Sequence, residues 1–326
     1  MKMQLLIFNL FSVIYAGGQV PGTPLTRFPS LSVRPNSRAM AMGDFGLATS
    51  VGTQSLVYNP AAGAFASYQH QLSVSYLPWL SAISNDTRIL NAAYLYVITE
   101  SSTMGVNLTY LDLGQLDLRD YTGATLVSYR ARDYHLDISY ATQFASQHSL
   151  SVTLKCMGQN QFDVSAGNRY GFCGDIGYYG FGKLGSDSRK ILFGANLSNL
   201  GSVSNLPATA AVGIGYSQFS ESGDQITAGV DVSRLLKDDW KGIRITAGME
   251  YGFAESFFLR AGLSLESAEK GDRKYVSFGA GYKGFVSDQS WGLDLYYLVP
   301  FGRRAGVSPF QNACGLTLLV NIGSYQ

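Results

Sequence analysis

Apolar and polar residues alternate along most of the chain from residue 69 onward. In residues 134–141, for example, Tyr, Leu, Ile and Tyr alternate with His, Asp, Ser and Ala. A period of two residues is typical of a β-strand with one apolar and one polar face. The same period recurs in residues 149–155, 243–251, 257–266 and 291–297. The pattern therefore predicts a chain built almost entirely of strands.

The number and spacing of these segments indicate a membrane barrel rather than a soluble sandwich. Strands of about ten to twelve residues suit a tilted membrane-spanning strand and exceed the usual five or six. Connections after even-numbered segments are mostly very short and the others longer, the longest being 114–132. This asymmetry is typical of bacterial outer-membrane barrels, and a sandwich gives no reason for it. Fourteen segments are predicted, near 69–79, 88–99, 102–113, 133–144, 147–159, 170–181, 189–199, 208–218, 223–233, 242–252, 256–266, 274–285, 289–299 and 312–322.

We therefore predict an all-β fold, a 14-stranded antiparallel transmembrane β-barrel over residues 67–326, preceded by two other segments. Residues 1–18 combine a basic start, an apolar run and small residues, which indicates a cleaved export signal. Residues 19–66 are rich in Pro and Gly and lack the alternation. Because so wide a barrel encloses a lumen that wall side chains do not fill, residues 19–66 are expected to form an N-terminal plug or hatch. The expected location is the bacterial outer membrane, after Sec export.

Composition and charge exclude two classes of protein. The chain has 24 Lys plus Arg against 23 Asp plus Glu, a formal net charge of +1. A nearly neutral chain without a basic cluster has no field with which to bind nucleic acid. Hydrophobic residues make up 46% of the chain and charged residues only 14%, which is unlike a disordered protein.

Motifs that would carry chemistry are weak or missing in the sequence. Residues 279–284 match G-x-G-x-x-G but lie in a predicted strand, whereas a dinucleotide site needs this motif between a strand and a helix. His70, His135 and His148 are isolated from one another and from carboxylates at ligand spacing. We therefore expect no cofactor, no metal site and no enzymatic activity.

The loops at the outer end of the predicted barrel combine large apolar residues with few charges. Exposed apolar groups at a barrel rim are expected to bind a protein, and Trp is a favoured residue at such sites. The adjoining arginines are expected to pair with carboxylates of a partner or with anionic outer-membrane lipid. The predicted partner-binding residues are Pro78, Trp79, Leu80, Ile83, Phe301, Arg303, Arg304 and Phe310.

Several stretches, in order along nearly the whole mature chain, resemble the PorV (LptO) family of type IX secretion. They include PNSRAMAMGDFGLATS at 35–50, YNPA at 58–61, SVSYLPWL at 73–80 and FGANLSNLG at 193–201. The Asn-Pro-Ala element is also similar to the hatch of FadL-type transporters, the wider group of fourteen-stranded barrels. The plug motif so marked is Arg38, Met42, Gly43, Asp44, Gly46, Asn59 and Pro60.

The resemblance implies a non-enzymatic barrel that docks on the translocon channel. It also implies that the barrel binds the C-terminal signal domains of cargo and passes cargo to a surface attachment complex. The short loop 234–241 and the Ser-Tyr-Gln end of the chain depart from the family pattern. Three alternatives stay open: a PorQ-like sister barrel of the same system, a FadL-like channel for hydrophobic small molecules, and a purely structural barrel.

Overall fold

The strands form a closed antiparallel barrel in which each strand pairs with its sequence neighbours and β1 pairs with β14. The computed structural model describes residues 28–79, 86–160, 169–203, 205–236, 242–267, 273–287, 289–302, 308, 310–311 and 313–324. The predicted fourteen-stranded fold is confirmed. The strands are β1 (Tyr68–Pro78), β2 (Arg88–Thr99), β3 (Ser102–Arg119), β4 (Thr125–Ala145), β5 (His148–Asn160), β6 (Arg169–Leu184), β7 (Ser186–Leu200), β8 (Thr209–Phe219), β9 (Gln225–Leu235), β10 (Ile243–Phe253), β11 (Phe257–Glu266), β12 (Tyr275–Val286), β13 (Gln289–Pro300) and β14 (Cys314–Ser324).

The alternating residues separate onto the two faces of the barrel wall. In β5, Leu150, Val152 and Leu154 are exposed on the outside, whereas Ser151 and Thr153 are buried on the lumen side. Successive side chains of a strand point to opposite faces, so the apolar set meets lipid and the polar set lines the lumen. A wall of this kind is stable only in a membrane, because its apolar face is left uncovered by protein.

Leu154→Arg is expected to lower the free energy of unfolding by about 2–4 kcal/mol, because a cation on the lipid face is costly near the bilayer midplane. Leu126→Arg is the matched control, since Leu126 is similarly exposed (61% against 54%) but lies in a hairpin beyond the wall. Unfolding in detergent or lipid followed by the gel shift of the folded barrel measures both. An equal loss in the two variants would contradict the placement of Leu154 in the lipid and of Leu126 beyond it.

The loop predicted for 114–132 is mostly strand, which corrects the sequence-based boundaries. β3 continues to Arg119 and β4 begins at Thr125, so the two form a long hairpin. The Asp120 carboxylate closes its turn, accepting hydrogen bonds from the backbone N–H groups of Thr122 at 2.8 Å and Ala124 at 3.0 Å. Continued cross-strand pairing extends the ladder beyond the barrel wall. We call residues 113–131 the outer hairpin and the end of the barrel that bears it the outer end.

Four short helices precede the strands and contact the lumen side of the wall. They are the 3₁₀ helices η1 (Pro29–Ser32), η2 (Gly52–Val57) and η3 (Pro60–Phe65) and the α-helix α1 (Ser37–Ala41). Helix α1 touches β11 to β14, η2 touches β1 to β3, and η3 touches β3 to β6. We call residues 28–66 the N-terminal segment.

No helix in the described ranges is long and apolar enough to cross a membrane. The domain boundaries at residues 18 and 66 stay predictions, and the export signal lies outside the described residues.

Candidate functional site

A buried ion-pair network ties helix α1 to the barrel wall. Arg38 donates from Nε and Nη2 to the two carboxylate oxygens of Glu250, at 2.9 and 2.8 Å. Arg260 donates to the same carboxylate at 2.6 Å and to Asp294 at 2.7 Å. Gln54 of η2 donates to Asp294 at 3.0 Å. Two helices of the N-terminal segment are thereby held by one charged network, which we call the Glu250 network.

The turn after α1 is held by a second ionic contact. Gly43 and Asp44 have left-handed backbone angles (φ 74° and 69°), which turn the chain back across the lumen. Asp44 pairs with Arg244 of β10 and accepts a hydrogen bond from the hydroxyl of Tyr58. Burial, and then the negative charge of Asp44, raise the pKa of Tyr58 well above its usual value. Tyr58 is therefore a neutral donor that fixes one carboxylate oxygen while Arg244 holds the other.

The Asn-Pro element links the N-terminal segment to β6 and β7. Asn59 has an extended backbone before Pro60, as the sequence predicts for a residue preceding proline. Its side-chain amide donates to the carbonyl oxygens of Tyr178 at 2.8 Å and Leu47 at 3.3 Å. The Asn196 amide donates to the carbonyl of Tyr58 at 2.8 Å. Side-chain amides thus satisfy backbone groups that the irregular segment leaves unpaired.

Wall side chains also bind the backbone of the segment directly. The Asp231 carboxylate accepts hydrogen bonds from the N–H groups of Gly46 and Leu47, both at 2.9 Å. The Ser277 hydroxyl accepts a hydrogen bond from Gly43 N–H at 2.7 Å. These contacts come from β9 and β12, so the segment is held from several directions around the ring.

Glycines in the wall allow the segment to lie directly against the strands. A Cβ added at Gly262 would stand 2.0 Å from the carbonyl carbon of Met42, and one at Gly248 would stand 2.4 Å from its oxygen. A Cβ at Gly194 would stand 2.5 Å from the carbonyl oxygen of Leu47. All three distances lie far inside van der Waals contact. Residues 42–47 therefore pack backbone against backbone on the wall.

A polar cavity lies in the lumen. A cavity of about 90 Å³ lies between the segment and the outer end of the barrel, where Lys155 pairs with Asp175 at 2.8 Å beside Asp137 and Arg244. Among the described residues no group of three or more His, Cys, Asp or Glu is placed to hold a metal ion. The cavity can hold water beside these ion pairs, and its volume is smaller than that of ordinary ligand pockets.

One residue of the predicted rim patch, Phe310, is packed rather than exposed, which corrects the expectation for that side chain. Phe310 is only 7% exposed, and its ring lies edge-on to Trp79 at 5.5 Å and tilted on Tyr275 at 5.3 Å. These rings pack on a cluster that includes Met40 of α1, so they cover the outer end of the segment. Phe301 remains exposed and Pro78 is half-buried. Leu80, Ile83, Arg303 and Arg304 lie outside the described residues.

The outer hairpin carries exposed apolar groups that the sequence analysis did not single out. Tyr121 is 92% exposed, and Leu126 and Val127 are also exposed. At its base, Asp112 accepts hydrogen bonds from Arg130 Nε at 2.9 Å and Nη2 at 2.6 Å. This bidentate pair fixes the direction in which the hairpin leaves the wall. The pairing of apolar residues across 116–129 is the sequence signal that could have identified it.

The sequence profile of the family described as type IX secretion system protein PorV matches residues 22–239. The chain belongs to the PorV family. That match covers the N-terminal segment and strands β1 to β9, and it confirms the resemblance seen in the sequence. This PorV-family chain is thus an outer-membrane β-barrel of type IX secretion. A comparison with curated proteins finds no match.

Two of the solved structures with the same fold are a monoaromatic hydrocarbon channel and a toluene transporter. The CymD monoaromatic hydrocarbon channel is 12% identical with a TM-score of 0.60, the alignment covering 92% of the PorV-family chain and 100% of CymD. The Pseudomonas putida toluene transporter TodX is 14% identical with a TM-score of 0.54, the alignment covering 92% and 98%. Identities this low show a shared fold alone, which confirms the predicted FadL-like barrel.

Proposed function

We propose that this PorV-family barrel is a docking and shuttle component of type IX secretion. In this proposal it docks on the translocon channel, binds the C-terminal signal domains of cargo, and passes cargo to a surface attachment complex. The chain is exported through the Sec pathway with residues 1–18 as its cleaved signal. It works by binding, without an enzymatic step. Membership of the PorV family supports a role in type IX secretion. The lumen occupied by the N-terminal segment supports docking over solute transport.

The observation that carries the proposal is the fixed N-terminal segment. Arg38, Asp44 and Asn59 bind strands on different sides of the ring, and the cavity of about 90 Å³ described above is polar. A channel for hydrophobic molecules needs an apolar path or a ligand-sized apolar pocket. The described lumen favours a closed barrel that works through its outer surface over the FadL-like channel. The substrates of CymD and TodX therefore do not transfer on the basis of fold.

The outer hairpin is the best candidate for the docking surface. It is hydrogen-bonded at its turn and at its base, and it presents Tyr121, Leu126 and Val127 to solvent. Preorganised exposed aromatic and aliphatic groups bind partners at low entropic cost. Phe301 is also exposed at the same outer end, after β13. In this arrangement Trp79 and Phe310 support the rim instead of contacting the partner.

Simultaneous replacement of Tyr121, Leu126 and Val127 by Ser is expected to reduce recovery of the translocon channel at least tenfold. Truncation of each hot-spot residue commonly costs more than about 1 kcal/mol of binding free energy. Affinity purification of the tagged barrel from solubilised membranes, with quantification of bound proteins, measures the loss. Leu184→Ser is the control, since Leu184 is an exposed apolar residue at the opposite end.

Cargo location separates the competing roles. Cargo is expected to accumulate in the periplasm of the hairpin variant and to reach the surface in the control. If the hairpin variant recovered the channel and exported cargo normally, the docking surface would be wrong. If deletion of the whole protein left every cargo at the surface but abolished uptake of a hydrophobic solute, the hypothesis of a FadL-like channel would replace the shuttle proposal. Loss of a single surface protein with general cargo unaffected would favour the PorQ-like role.

A further inference from the structure

The outer hairpin leaves the barrel as a ribbon of two strands. Pairing of β3 with β2 ends at Asp112, and pairing of β4 with β5 ends at Arg132. β3 and β4 continue to pair with each other as far as Arg119 and Thr125. Within the described part of the chain, both long edges of this ribbon are therefore without a partner strand. An unpaired edge presents a row of backbone N–H and C=O groups that another strand can bind.

The edge of the hairpin formed by β3 is protected against such pairing. Gly114 has a left-handed backbone angle (φ 79°) in the bulge that follows Asp112. Its N–H donates to the Asp112 carboxylate at 3.2 Å, and the N–H of Gln115 donates to the Asp86 carboxylate at 2.7 Å. Bulges and charged side chains are the devices by which edge strands avoid pairing with other chains.

The edge formed by β4 lacks this protection. We call residues 125–130 the β4 edge, and their sequence is Thr-Leu-Val-Ser-Tyr-Arg. The one charged residue, Arg130, lies at the base, where it pairs with Asp112 of the neighbouring strand. The ladder has an irregular step at the tip, between Val127 and Thr125, but pairs residue for residue with β3 from Val127 to Arg130. This regular, uncharged and exposed edge is a template for a further strand.

The alternation along β4 shows which backbone groups point to the open side. The N–H of Gln143 donates to the carbonyl of Ser101 at 2.8 Å, at the start of β3. Successive residues of an antiparallel strand direct their N–H and C=O groups to opposite neighbours. No residue is inserted on the β4 side of this ladder between Gln143 and Val127. The odd-numbered residues therefore face β3, and Ser128 and Arg130 direct their backbone groups to the open side.

We propose that the β4 edge binds an extended segment of a partner protein as an added β-strand, through main-chain hydrogen bonds to Ser128 and Arg130. This inference rests on the proposed docking role of the outer hairpin and names the kind of structure that the hairpin recognises. In strand addition, main-chain hydrogen bonds provide affinity and neighbouring side chains provide specificity. The exposed side chains of Leu126 and Val127 favour a segment with apolar residues. Because β5 is the neighbour of β4 as far as Asn160, the added strand would continue that position outward.

A second copy of the barrel does not fit this edge. Two barrels in one membrane are related by an axis along the membrane normal, which places their β4 strands parallel and at the same height. Two identical edges in that arrangement would set N–H against N–H and C=O against C=O, whereas antiparallel identical edges can pair. An antiparallel pair would place one barrel upside down in the membrane. The occupant is therefore a segment of a different protein.

Ser128→Pro is expected to lower recovery of the translocon channel about tenfold, because the ring removes an outward N–H and obstructs the added strand. Proline is tolerated on an edge strand where the N–H faces solvent, so the hairpin should persist. Ser128→Ala is the matched control. It removes the hydroxyl that donates to Asp117 at 2.6 Å but keeps the backbone N–H, and recovery should be unchanged. Affinity purification of the full-length tagged barrel from solubilised membranes, with the channel quantified, measures both.

Amide hydrogen exchange of the wild type, alone and with the channel bound, provides a readout that contacts through side chains would not move. The amides of Ser128 and Arg130 should exchange rapidly in the barrel alone and about tenfold more slowly in the complex. The amides of Val127 and Tyr129 should be slow in both states, because they face β3. Protection of Tyr129 in Ser128→Pro would show that this variant keeps its hairpin. If it does not, the wild-type comparison decides.

Two results would overturn strand addition. Exchange at Ser128 and Arg130 that is unchanged by the channel would show docking through side chains alone, and the proposed function would stand. Protection of the same two amides in the isolated barrel would show that the edge is already covered. The docking role itself would fall only if the triple replacement of Tyr121, Leu126 and Val127 left recovery of the channel unchanged.

Discussion

Glu250→Ala is expected to lower the free energy of unfolding by about 3–5 kcal/mol, the usual cost of breaking a buried ion pair from one side. Glu250 is 1% exposed and accepts hydrogen bonds from both Arg38 and Arg260. Its removal takes the shared carboxylate from both guanidinium groups, leaving Arg260 paired with Asp294 and the buried charge of Arg38 without Glu250. The affected ion pair joins α1 to the wall. We therefore expect the N-terminal segment and the barrel to lose stability together.

Equilibrium unfolding in urea, read by tryptophan fluorescence and by the gel shift of the folded barrel, measures this loss. Asp187→Ala is the matched control, because Asp187 also pairs with a cation, Lys183 at 2.9 Å, but is 85% exposed. Little change is expected there, since exposed pairs are screened by water. A Glu250→Ala barrel as stable as the control would mean that the network contributes nothing to holding the segment.

The wall of the barrel could be predicted from the sequence because the relevant signal is local. Each strand carries its own alternation, so residues such as Leu150 and Leu154 identify a lipid face without knowledge of their neighbours. The strand count and the turn asymmetry then follow from the order of segments along the chain. The outer hairpin was missed because the bulge between Asp112 and Gln115 interrupts the alternation where the wall ends.

The contacts inside the lumen could not be predicted from the sequence because they depend on closure of the barrel. Arg38 and Glu250 are 212 residues apart, and only the register accumulated around the ring brings them together. The position of Phe310 also depends on closure of the barrel. Its apolar character in an outer loop predicted exposure at the rim. Its ring instead packs against Trp79 and Tyr275, because closure places three aromatic side chains over the end of α1. Residue type identified the candidates, and tertiary packing decided their roles.

Gly262→Ala is expected to turn a closed barrel into a conducting one. The new methyl group would stand 2.0 Å from the carbonyl carbon of Met42 and 2.1 Å from the nitrogen of Gly43, and backbone atoms cannot rotate away as a side chain can. A small shift of Gly43 along the wall gives no relief, because a Cβ on Gly43 would stand 2.5 Å from the Leu263 backbone and its N–H donates a hydrogen bond to Ser277. Overpacking of this kind costs typically about 1–3 kcal/mol. The least costly relief is displacement of residues 42–47 from the wall.

Conductance measurements in planar lipid bilayers test this prediction directly. We expect very few channel openings in the wild type and frequent openings in Gly262→Ala. Hydrogen exchange should rise in residues 42–47 and stay low in β11. Gly182→Ala is the control, because a Cβ there meets no atom within 4 Å. A conducting wild type would contradict the filled lumen and favour a channel. A silent and fully stable Gly262→Ala barrel would show that ion pairs, rather than close backbone packing, keep the segment in place.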